Sequence, residues 1–241
     1  MDLALQVAVI VLIALVASTL AAVTGFGASL LLLPVLTWSF GVRDAVPILT
    51  VVQVCTNLAR VYLNRGDIDY GIAKRWSIGA VPAAVLGGIV FATAPASFLG
   101  RLIGVFMIGA VVFRHTRAGR NLQVRQETFL PLGAAFGFLD ALVGSAGPVQ
   151  APFFLAAGLI GAAYIGTEAM ASVVMQGTKL AVYGGFNLVD ARSVLYGIAI
   201  GSVMFVGAYI GRNVVRHISP ARFSLIIEGV LLVAGLLLIV R

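Results

Sequence analysis

The chain has 241 residues, 61% of them hydrophobic and 10% charged, with a formal net charge of +7. Several apolar runs approach the roughly 20 residues that cross a bilayer core, which reads as a polytopic integral membrane protein, and the longest polar interval, residues 114–126, leaves no room for an aqueous domain. The single cysteine, Cys55, excludes intrachain disulfides and a cysteine metal cluster, and is read as an inert buried thiol.

In chain order, residues 3–23 form the first apolar segment. The start Met1-Asp2-Leu3 lacks the basic region of a cleaved signal peptide, so this segment is expected to stay. The glycine-broken stretch Thr24-Gly25-Phe26-Gly27-Ala28-Ser29 opens a short second segment, 27–40, that contains Pro34. Further segments follow at 45–63, 76–93 and 97–113, and then a basic linker, 114–127, with Arg114, Arg117, Arg120 and Arg125. The second half begins at 128–143 and breaks at Val143-Gly144-Ser145-Ala146-Gly147-Pro148. It continues with a short segment, 148–160, containing Pro152, and ends with 165–186, 193–211 and 223–240. Thirteen or fourteen residues span only about 20 Å of a roughly 30 Å hydrocarbon core. Each half is therefore expected to open with a broken or re-entrant helical hairpin.

The halves correspond. Pro34 pairs with Pro152 at an offset of 118, Val61-Tyr62 and Asp69 with Val182-Tyr183 and Asp190 at 121, and Gly79 with Gly201 at 122. Pro95-Ala96-Ser97-Phe98 matches Pro220-Ala221-Arg222-Phe223 at 125, as Gly104 does Gly229. A slowly drifting offset is what small insertions in a duplicated unit produce, so the expected organisation is a membrane repeat at 1–113, a cytoplasmic linker at 114–127 and a second repeat at 128–241. With the linker in the cytoplasm, Arg65, Lys74 and Arg75 fall inside, as do Arg212, Arg216 and Arg222, while the loop at 93–96 has no basic residue. Counting each hairpin as one crossing would send the Arg212 to Arg222 loop outside. Inverted repeats with both termini outside are preferred. Topology and lipid headgroups then account for the net charge, and a nucleic-acid partner is not expected.

The third segment of each half carries a polar stripe. Gln53, Thr56, Asn57 and Arg60 share one helix face, as do Glu168, Ser172, Gln176, Lys179 and Tyr183. Ionisable groups within membrane helices normally face a cavity or a partner. Lys179, 14 residues into its segment, is read as a substrate or coupling residue, the alternative being a salt bridge to Asp140 or Glu168. Arg60, nearer its helix end, is divided between the site and the cytoplasmic headgroups. At the glycine breaks, N–H groups and the positive dipole end of the following half-helix attract negative charge, and Ser29, Ser145 and Gln150 add donors. Pro34 and Pro152 kink or limit the short helices.

These glycine-rich turns, Gly25-Phe26-Gly27-Ala28-Ser29 with Pro34 and Ser145-Ala146-Gly147 with Pro152, resemble the repeated signature of the sulfite exporter TauE/SafE family of membrane permeases, with small residues replacing some glycines. The likeness in length, duplicated layout and basic central loop extends over essentially the whole chain. The resemblance implies a multi-pass protein of the plasma (inner) membrane that carries small organosulfur or sulfur oxyanions such as sulfite, sulfoacetate, sulfolactate or other sulfonates, often outward, although some relatives are assigned to uptake. The residues themselves ask for a small anion and leave the sulfur to the resemblance.

The expected substrate site comprises Gly25, Phe26, Gly27, Ser29, Gln53, Asn57, Arg60, Gly144, Ser145, Gly147, Gln150, Gln176 and Lys179, with no metal and no cofactor. No nucleotide-binding loop is present, so transport would run on an ion gradient, proton or sodium, or on the anion's own gradient. Asp140, 13 residues into the sixth segment, is the candidate proton carrier, with structural pairing to Lys179 as the alternative; Glu228 is a weaker one. An enzyme is not expected: His115 and His217 lie in basic loops, and no catalytic constellation is visible. An anion channel, or an uptake permease for a non-sulfur organic anion, is the remaining alternative. Small-residue faces such as Gly197, Gly201, Ala208 and Gly211 suit internal packing or a homodimer equally.

Overall fold

A computed structural model of the chain describes residues 9–18, 28–116, 124–214, 229, 232–233 and 235–239. Among them the ordered elements are all helical. They are α1 (Val9–Ser18), α2 (Ala28–Phe40), α3 (Val42–Leu63), α4 (Tyr70–Thr93), α5 (Ala96–His115), α6 (Phe129–Val143), α7 (Gly147–Ala156), α8 (Gly161–Gly185) and α9 (Ala191–Val214), with a single 3₁₀ turn before α6. Among the described residues three helices are long and apolar enough to cross a membrane: Val42–Leu63, Tyr70–Thr93 and Ala96–Phe113. Large side chains such as Leu86, Val105, Leu195 and Phe205 point outward, as a lipid-facing surface requires.

The helices lie close to the expected segments, and the differences have local causes. α4 starts at Tyr70, well before residue 76, because Asp69 caps it by accepting the Ile72 N–H at 2.9 Å; its first turns therefore include Lys74 and Arg75, which hydropathy leaves out. Asp190, the matching residue of the second half, caps α9 in the same way, accepting from Ser193 N–H at 2.7 Å and its hydroxyl at 2.8 Å. Those bonds hold the Asp190 carboxyl below the usual carboxylate range, so the cap is charged at neutral pH and weakens only as pH falls through that lowered value. α7 ends at Ala156, short of residue 160, where Gly158 turns the chain with φ +87°.

Small residues set the closest packing. On α6, Gly133, Gly137 and Ala141 recur every fourth position and meet Trp76, Ala80 and Gly87 of α4, so the two helices run parallel with their backbones in contact. A Cβ on Gly133 would collide with the Trp76 carbonyl oxygen, and one on Gly137 with that of Ala80. Both obstacles are backbone. Gly133→Val is accordingly expected to destabilise the protein by about 3 kcal/mol or more, read as a lowered unfolding midpoint in mixed micelles.

The third helices of the two halves, α3 and α8, cross antiparallel, with Asn64 near Gly166 and Arg60 near Glu168. The fourth helices are exchanged. α4 runs parallel to α8, from Asp69 beside Thr167 to Gly88 against Val182, and α9 runs parallel to α3, with Gly197 on Val51 and Gly201 on Cys55. There are two buried clusters. One joins α1, α2, α3 and α5 with Ile200 and Met204 of α9 and also takes in Phe91 of α4, Leu142 and Val143 of α6 and Tyr183 of α8; the other joins α6, α7 and α8 with Trp76, Ala80 and Ala84 of α4.

The described basic residues lie at both ends, more of them at the linker end. Arg75 donates to Gln126 at 2.7 Å, which brings the end of the linker to the start of α4, and Arg65 stacks over Tyr62 at 4.6 Å. At the opposite end the Ala92 and Ala94 carbonyls accept the N–H groups of Arg43 at 2.9 and 2.6 Å, and Arg101 near the start of α5 and Arg192 at the start of α9 lie toward the same end. Arg117, Arg120, Arg216, Arg222, His217 and Glu228 lie outside the described residues.

Candidate functional site

The site is built where the second chain break meets the polar stripe of α8. α6 ends in Gly144, whose φ of +82° turns the chain while its N–H still bonds to Asp140 O at 2.8 Å. A β-carbon would be strained in this left-handed conformation, so the turn favours glycine. α7 then doubles back along α6, packing Phe154 on Phe129 at 5.1 Å and on Trp76 at 4.9 Å. At the tip, the Ser145 hydroxyl lies 2.7 Å from that of Ser29 at the start of α2. The openings of the two short helices thus touch. Pro34 and Pro152 are both inside these helices, and α2 continues six residues beyond its proline.

Just behind the tip lies the first of two ion pairs, and it is fully buried. Lys179 Nζ sits 2.6 Å from Asp140 Oδ1 and 3.3 Å from the Gly144 carbonyl oxygen. The side chains are 0% and 2% exposed. Asp140 also accepts from the Ala146 N–H at 2.7 Å and, more loosely, from Gln176 Nε2 at 3.4 Å. The donors at the head of α7 therefore already hold an anion, and it is the protein's own carboxylate. One turn beyond Lys179, the Tyr183 hydroxyl donates to the Ala141 carbonyl at 2.6 Å and fixes α8 against α6.

The second pair lies further toward the start of α8. Arg60 Nη1 is 2.9 Å from Glu168 Oε2, with side chains 26% and 6% exposed. The same Nη1 donates to Asn57 Oδ1 at 2.9 Å. Gln150 Nε2 and the Ser172 hydroxyl both donate to Glu168 Oε1, at 3.1 and 3.0 Å. Arg60 thus turns inward to a carboxylate rather than outward to headgroups. α7 serves both pairs, through Ala146 at its head and Gln150 one turn later. Buried ions cost several kcal/mol each unless paired and hydrogen-bonded, and here each cation meets one carboxylate.

Of the expected residues, Lys179, Gln176, Gly144 and Asp140 gather at one pair, Arg60, Asn57 and Gln150 at the other, and Ser29 and Ser145 meet at the tips. Gly147 starts α7. Gln53 is buried on α3 with its Oε1 unpartnered, and Thr56 bonds back to its own helix at Val52 O and Gln53 O. Gly25, Phe26 and Gly27 lie outside the described residues. Glu168 and Ser172 were visible in the polar stripe, but nothing in the sequence pointed to Arg60 as their partner. Among the described residues no group of three His, Cys, Asp or Glu is placed to hold a metal ion.

An all-helical chain with long apolar helices, outward apolar surfaces and paired charges buried at touching helix breaks belongs to the class of membrane transport proteins. More narrowly, it is a member of the sulfite exporter TauE/SafE family, whose profile matches residues 10–238. No match was found among curated proteins or among solved structures.

Proposed function

We propose that the protein is a secondary transporter that exports small organosulfur or sulfur oxyanions, such as sulfite, sulfoacetate or other sulfonates, across the cell's plasma (inner) membrane. The observation that carries this reading is the two ion pairs served by α7, one buried just behind the meeting of two helix breaks and one further along α8, in a member of a sulfite exporter family. The anion is held between two inverted repeats by Arg60, Lys179, Gln150, Gln176 and the serine tips, and coupling falls to a carboxyl of one of the two ion pairs, Asp140 or Glu168.

The antiparallel crossing of α3 and α8 supports inversion, because equivalent helices related by an axis in the membrane plane run in opposite directions. The exchanged fourth helices support it too, as does the return of α7 toward the start of α6. At about 15 Å, α7 is too short to cross, so the second hairpin enters and leaves on one side. The first hairpin would do the same from the other side. Alternating access follows as a separation of the touching tips, first toward one face and then the other. The touching tips and the two ion pairs also favour a permease over an open anion channel.

The test is efflux from reconstituted vesicles loaded with sulfite or sulfoacetate. The expected flux saturates with internal anion and speeds up when the same anion is present outside, which is exchange and not conduction. No flux with any sulfur oxyanion, or flux that rises linearly without limit, would sink the reading.

A further inference from the structure

Glu168 sits in a cage of donors from three helices. α3 supplies the Arg60 guanidinium, α7 the Gln150 amide and α8 the Ser172 hydroxyl, at 2.9, 3.1 and 3.0 Å from the two carboxylate oxygens. A guanidinium, an amide and a hydroxyl around one pair of oxygens is also what a small oxyanion needs. The cage is incompletely bonded: Arg60 meets Glu168 as an ion pair, and Arg60 Nη2, Glu168 Oε2 and Gln150 Oε1 are all buried with no hydrogen-bond partner. It is also the more accessible of the two pairs: Arg60 is 26% exposed, whereas Lys179 is sealed at 0%.

We propose that the Glu168 carboxylate occupies the seat of the transported anion and vacates it by taking up a proton, so that one proton and one monovalent oxyanion travel together. The proposal rests on the transporter reading above. With Glu168 ionised the cage is neutral, and an arriving anion meets a carboxylate already paired with Arg60 and bonded to Gln150 and Ser172. A proton moving from water onto a Glu168 oxygen cancels that charge, and the oxyanion then takes the Arg60, Gln150 and Ser172 bonds. The step moves one H⁺ with one X⁻ and is electroneutral. Arg60 is never left as a lone charge within the membrane.

The other charged groups around Glu168 do not replace it in this role. Tyr164, one turn earlier on α8, lies within electrostatic reach of both Glu168 and Arg60. α7 presents Gln150, which does not titrate. Asp69, at the head of α4, meets Thr167 through its backbone N–H and uses its carboxylate to cap its own helix. From α6, Asp140 is taken by Lys179, eleven residues further along α8.

Methanesulfonate is the probe, because its charge does not change over the working pH range. Its binding is read as thermal stabilisation of the purified full chain at acid and at alkaline pH. In the wild type its apparent affinity is expected to fall about tenfold per pH unit once Glu168 ionises. In Glu168→Gln, the acid-pH affinity should hold at both. Retained pH dependence in that variant overturns the proposal, and so does loss of binding in a variant that melts like the wild type. A second measurement needs no variant: an outward sulfonate gradient across wild-type vesicles should alkalinise the lumen as proton and anion leave together. Sulfonate flux without proton movement overturns the coupling while leaving the transporter intact. If wild-type protein neither binds nor moves methanesulfonate or sulfoacetate at any pH, the anion-transporter reading fails and this proposal with it.

Discussion

Lys179→Met is expected to abolish sulfonate transport and to destabilise the fold by about 3–5 kcal/mol, the usual cost of removing one partner from a buried ion pair. The cost arises because Asp140, 2% exposed, loses the cation 2.6 Å away and is left either as an uncompensated buried charge or as a carboxyl that must take up a proton. Its remaining bonds to the Ala146 N–H and Gln176 Nε2 do not replace that cation. Stability alone therefore does not separate a transport role from a structural one. The double variant Lys179→Met, Asp140→Leu does. Replacing a buried pair by apolar groups of similar size is often neutral or stabilising, so the double variant should recover most of the unfolding midpoint lost by the single one. If the pair serves transport, activity stays absent in the refolded double variant. Recovery of flux together with stability would assign Lys179 and Asp140 to the scaffold.

Much of the helical layout was legible because membrane helices declare themselves by apolar runs, and α3, α5 and α6 begin and end within a few residues of the expected segments. The starts of α4 and α8 were not. Both lie in polar or glycine-containing sequence, and for α4 the decisive signal was the Asp69 cap rather than hydropathy. The candidate site divides similarly. Helical spacing placed Gln176 and Lys179 on one face of α8 and Asn57 and Arg60 on one face of α3, since spacing within a helix is fixed by its geometry. Which carboxylate each cation meets is decided between helices. Lys179 had two candidates in Asp140 and Glu168. The parallel packing of α4 with both α6 and α8 brings Asp140 to it, and the antiparallel crossing of α3 leaves Glu168 to Arg60. The contact of Ser29 with Ser145 joins residues 116 apart, and no local pattern carries it.

That contact supplies the second large effect. Cysteines in place of Ser29 and Ser145, in a Cys55→Ala background, are expected to form a disulfide on mild oxidation, since the two hydroxyl oxygens are already 2.7 Å apart. The background change removes the native thiol, which packs beside Gly201 and would otherwise compete for pairing. If transport requires the hairpin tips to part, the oxidised protein should bind a sulfonate from one face only and show no net flux, and a reductant should restore it. A covalent bond holds far more firmly than a hydroxyl pair, whose net contribution is about 1 kcal/mol, so a thermal fluctuation that opens the native tips cannot open the cross-linked ones. Rigid-body rocking with the tips as a fixed pivot predicts the opposite outcome, unchanged flux after full cross-linking. The gate would then lie along the exchanged pairs, α4 with α8 and α9 with α3, whose parallel faces would have to slide. Gly88 against Val182 and Gly197 against Val51 are the close contacts such sliding would disturb.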